Sequence, residues 1–159
     1  MDDTMQEGRM ADKLLVSLRQ AYSQYEEDYH ALKRESGLLG ALRSYFSGNS
    51  VSNDPLHKEF LERVGQLTQE LAGALAQAEA PDCWADQAAD ILLVLHTGKS
   101  GDAAEWNKMA AELMLEPLLP YLSRPRLEQA LRDFRATYRR MLPAQEKLAA
   151  SMEAELSRR

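Results

Sequence analysis

From about Asp12 almost to its last residues, this chain returns an apolar residue to every third or fourth position. A chain patterned in that way can hide its apolar surface only by coiling into helices and packing them face to face. The first run is the cleanest: Leu15, Leu18, Tyr22, Tyr25, Tyr29 and Leu32 form one seam and predict a helix from about Asp12 to Arg34. Three tyrosines lie on that seam, and a buried phenol hydroxyl needs a partner. Tyr22, Tyr25 and Tyr29 are therefore candidate buried polar groups.

The remaining segments repeat the pattern between breaks. Ser36-Gly37 interrupts it, and Leu38, Leu39, Leu42, Tyr45 and Phe46 suggest a short second helix before the Gly/Ser/Asn-rich stretch 47–53. Asp54-Pro55 starts a third helix, with Asp as cap and Pro in the first turn, carrying Phe60, Val64, Leu67, Leu71 and Leu75 on one face to about Ala78. Ala80-Pro81-Asp82 ends it and caps a fourth, from about Cys83 to Thr97. There Trp84, Ala88, Ile91, Leu92 and Leu95 share a face while Leu93 and Val94 lie opposite, the mark of a central helix. Asp102 caps a fifth helix with Trp106, Met109, Ala110, Leu113 and Met114, which Pro117 and Pro120 stop or kink. A sixth begins near Ser123–Pro125 and turns Leu127, Leu131, Phe134, Tyr138 and Met141 inward. Pro143 either kinks it or starts a new helix with Leu148, Met152 and Leu156, and Ser157-Arg158-Arg159 is expected to fray. The expectation is an all-α fold: a bundle of six to seven mainly antiparallel helices forming a single domain over residues 12–156, after a flexible segment 1–11.

Composition narrows the setting. Cys83 is the only cysteine, so an intramolecular disulfide and an all-cysteine metal site are both impossible. A lone thiol, a polar start without the apolar core of a secretory signal, and no apolar run of membrane length make the cytoplasm the expected location. The formal net charge is −6, unevenly spread: residues 1–122 hold 10 Lys/Arg against 20 Asp/Glu, a balance of −10, and residues 123–159 hold 9 against 5, a balance of +4. An acidic body does not suit a general nucleic-acid binder, and neither nucleic acid nor membrane is expected as a partner.

Several constellations bear on chemistry. Gly98-Lys99-Ser100 resembles the end of a phosphate-binding loop, but Leu93 stands where that loop requires glycine. Glu27 and His30 have the Glu-x-x-His spacing of di-iron bundles; Asp54 and His57 are a poor second pair, and His96 has no evident companion. Asp82, Asp86 and Asp90 recur every four residues on one helix. Asp82 is expected to cap. Asp90, set among Ala89, Ile91, Leu93 and Val94, is expected to be buried and satisfied by an arginine or a hydroxyl.

Glu59-Phe60-Leu61-Glu62 on the third helix and Gln87-Ala88-Ala89-Asp90 on the fourth resemble the two motifs of the all-α nucleoside triphosphate pyrophosphohydrolases. The resemblance implies an enzyme holding Mg²⁺ from neighbouring helices through Glu59, Glu62 and Asp90. It covers these motifs and little else, and Gln87 stands where that family has a glutamate, removing a charge the metal would use. No catalytic, cofactor-binding or metal-ligating residue is assigned on the sequence.

The sixth helix offers a surface instead. Arg132, Arg135 and Arg139 fall along one flank, with Glu128 placed to pair with Arg132 at i,i+4. That flank is the candidate interaction surface, facing the chain's own acidic helices or another molecule. The function expected is that of a helical interaction module (adaptor, regulator or chaperone-like subunit) whose partner is another protein or a second copy. The alternative is a small-ligand-binding or Mg²⁺-dependent nucleotide-hydrolysing helical enzyme.

Overall fold

A computed structural model describes residues 8–28, 31, 55–94, 114–137 and 143–159, and every regular element among the described residues is helical. Helix α1 occupies residues 8–28, α2 Pro55–Leu75 and α3 Asp82–Val94. A short 3-10 helix, Glu116–Tyr121, leads into α4, Arg124–Thr137, and α5, Pro143–Arg158. The predicted helix around Leu38–Phe46, the turn at Gly98–Ser100 and most of the predicted fifth helix lie outside the described residues.

The buried stripes follow the sequence pattern. Leu15, Leu18, Tyr22 and Tyr25 of α1 are buried, as are Phe60, Val64, Leu71 and Leu75 of α2, Ala88 and Leu92 of α3, Leu127 and Phe134 of α4, and Leu148 and Met152 of α5. Alanines widen several stripes: Ala85, Ala88 and Ala89 are fully enclosed, so α3 presents little side-chain bulk at those positions and its neighbours can approach closely there. The first helix starts ahead of the predicted Asp12. Residues 8–11 are helical rather than part of a flexible arm, because Ala11 extends the buried stripe and Gly8 lies against the indole of Trp84.

Helix ends are set by local chemistry. The last turn of α2 tightens through Gln77 N–H to Ala74 O and Ala78 N–H to Leu75 O, and the chain then leaves through Pro81. Asp82 is the first residue of α3, not its cap, since Ala85 N–H already bonds to Pro81 O. Pro117 and Pro120 do not merely stop a helix. They hold the chain in the tighter 3-10 form, which buries Leu118 and Leu119 and ends where Leu122 turns extended at ψ 144°. This piece packs against α2, α3 and α5, so a proline-shaped segment sits at the centre of the bundle. Pro143 starts a new helix rather than kinking the previous one.

Directions follow from who meets whom. Tyr22 and Tyr25, late in α1, pack on Phe60, early in α2, so α2 leaves from the end where α1 arrives. Trp84 of α3 meets Gly8 and Asp12, and Gln87 meets Arg19, so α3 runs in the same sense as α1, as the third member of an alternating series must. Arg159, just past α5, reaches carbonyls of Leu119, Pro120 and Leu122 just before α4, making α4 and α5 an antiparallel pair. The expected fraying of the last residues does not occur at Arg159. Its guanidinium satisfies backbone acceptors that the 3-10 turn leaves open, and Glu155 pairs with it at 3.3 Å.

Candidate functional site

Most charged side chains with assigned partners join one helix to the next. Asp86, half-buried on α3, accepts from Ser123 N–H at 2.9 Å and from Ser123 Oγ–H at 2.6 Å. Ser123 Oγ in turn accepts from Arg126 N–H at 3.3 Å, so Ser123 is the N-cap of α4 and Asp86 holds the cap. One turn along α3, Asp90 accepts from Arg126 Nε at 2.9 Å. The link from Asp86 to Ser123 was missed on the sequence, whereas an arginine partner for Asp90 was expected. The signal was there in the Ser123-x-Pro125 start and the four-residue repeat of Asp82, Asp86 and Asp90, but nothing in it says which helix lies opposite.

Asp90 requires a correction. The expected arginine partner is present, but the buried member of the pair is Arg126, whose side chain is 14% exposed against 61% for Asp90. Ala89 is enclosed and Ile91 half-buried, while the Asp90 carboxylate sits at the α3 edge over α4. Arg126 Nη1 is enclosed without a hydrogen-bond partner among the described residues.

The tyrosine seam is buried as predicted where it is described. Tyr25 stacks on Phe60 with ring centroids 4.1 Å apart, and Tyr22 meets the same ring edge-on at 5.0 Å. Tyr22 Oη has no hydrogen-bond partner among the described residues, and burial pushes its phenol well above the ordinary value. Tyr29 lies outside the described residues.

The arginine flank of α4 divides. Arg135 pairs with Glu153 of α5, so it belongs to the hairpin between those helices. Glu128 pairs with Arg124 at 3.1 Å rather than with Arg132 as expected, and Arg132 is exposed without an ion pair among the described residues. Arg139 lies outside them.

The carboxylates of the pyrophosphohydrolase-like motifs are not brought together. Glu59 and Glu62 are exposed on α2, Asp90 is bonded to Arg126, and among the described residues no group of three or more His, Cys, Asp or Glu is placed to hold a metal ion. Glu27 is exposed on α1, while His30, His96 and the side chain of His57 lie outside the described residues. Cys83 is exposed, with Gln87 Nε2 donating toward its carbonyl at 3.3 Å and its sulfur at 3.5 Å.

The structure adds a feature that periodicity could not show. An open cleft of about 520 Å³ lies between the second half of α1 and the first turns of α2. Ala21, Tyr25 and Phe60 form its floor, while Gln24, Glu27 and Asp28 from one helix face Glu59 and Arg63 from the other. Comparison with known proteins finds no matching family, no matching curated protein and no matching solved structure.

Proposed function

We propose that this chain is a helical interaction module, an adaptor, regulator or chaperone-like subunit, that receives a protein partner at the α1–α2 end of the bundle. The observation that carries the reading is the cleft: an open recess between two helices, rimmed by exposed polar and charged side chains above the enclosed Tyr25 and Phe60 rings, is a surface in which a partner's side chains can seat. The polar groups of α3, α4 and α5 support it from the other side, since Asp86, Asp90, Arg126, Arg135 and Arg159 are engaged in holding the scaffold. Among the described residues no helix is long and apolar enough to cross a membrane. A single exposed thiol at Cys83 suits a reducing compartment, which favours the cytoplasm.

The experiment is partner capture from the native cell with the intact chain and with Ser23→Trp or Gln20→Trp, both exposed cleft residues that an indole would fill. Partners lost on filling support the reading; the same partners captured by all three proteins refute it. A second reading, small-ligand binding, is favoured by the cleft volume, which falls in the range of small-molecule sites at roughly 300–1,000 Å³. A small molecule retained by the native protein in mass spectrometry and lost from the Trp variants would favour that reading over the first.

A further inference from the structure

We draw no further inference here: the strongest candidate, the cluster of carboxylates Glu27, Asp28 and Glu59 on the rim of the α1–α2 cleft, belongs to the site already described and has nothing beside it among the described residues that points to a ligand.

Discussion

Tyr22 and Asp90 show how a single residue's surroundings decide what its chemistry is worth. The Tyr22 hydroxyl is enclosed with no partner among the described residues, and an unmet buried hydroxyl costs roughly 1–3 kcal/mol. Tyr22→Phe is therefore expected to leave stability unchanged or raise it by about 1 kcal/mol, measured as a denaturant midpoint. The phenol is raised by burial, so the folded state keeps its proton at a pH where the unfolded chain has lost it. Stability should be level below about pH 10, the ordinary phenol value, and should fall as pH rises above it; Tyr22→Phe should flatten that fall. An equally steep alkaline loss in the variant would assign the effect to another group. At the α3 edge, Asp90→Ala should cost about 1 kcal/mol, the scale of a partly exposed pair, because the carboxylate is mostly in water. A cost of several kcal/mol would mean that stranding Arg126 dominates.

At the scale of the elements, regular periodicity was legible and its endpoints were not. The stripe from Leu15 to Tyr25 and the face from Phe60 to Leu75 could be read off the spacing, because an amphipathic helix writes its buried side directly into sequence. The 3-10 segment could not, since Pro117 and Pro120 fit a stop, a kink or a tighter helix equally well until a neighbour needs Leu118 and Leu119. The cleft was illegible for a related reason: it is the space left between two helices, and no residue of either one encodes it alone. Two substitutions probe helix ends and interiors. Gly73 is exposed near the end of α2, and a methyl group there would meet nothing within 4 Å, so Gly73→Ala should stabilise by about 0.5–1 kcal/mol through helix propensity. Asp86→Ala removes both bonds to Ser123 and should cost about 1–3 kcal/mol, with amide exchange accelerating first in the opening turn of α4. Uniform acceleration across the molecule would show that the cap is not a local device.

On the scale of the whole molecule, the acidic body and basic tail anticipated in the sequence meet within the fold, through Arg126 with Asp90 on α3, while Arg132 is left over. Charge reversal of Arg132, Arg135 and Arg139 to glutamate is expected to change oligomeric state or captured partners, as read by light scattering and pull-down. No change in either, with stability also intact, would make the flank a solvated face. One apolar core runs through the bundle, and polar cross-links are spread unevenly over it. Asp86, Arg126 and Arg159 fasten α3, the 3-10 helix, α4 and α5 by polar cross-links, whereas the contact between α1 and α2 is dominated by Tyr22, Tyr25 and Phe60. Apolar burial carries the large heat-capacity change of folding and loses strength on cooling, which charge-assisted bonds do not share to the same degree. Near freezing, amides of α1 should lose protection relative to those of α4 and α5, and the end that carries the cleft should be the first to loosen in the cold.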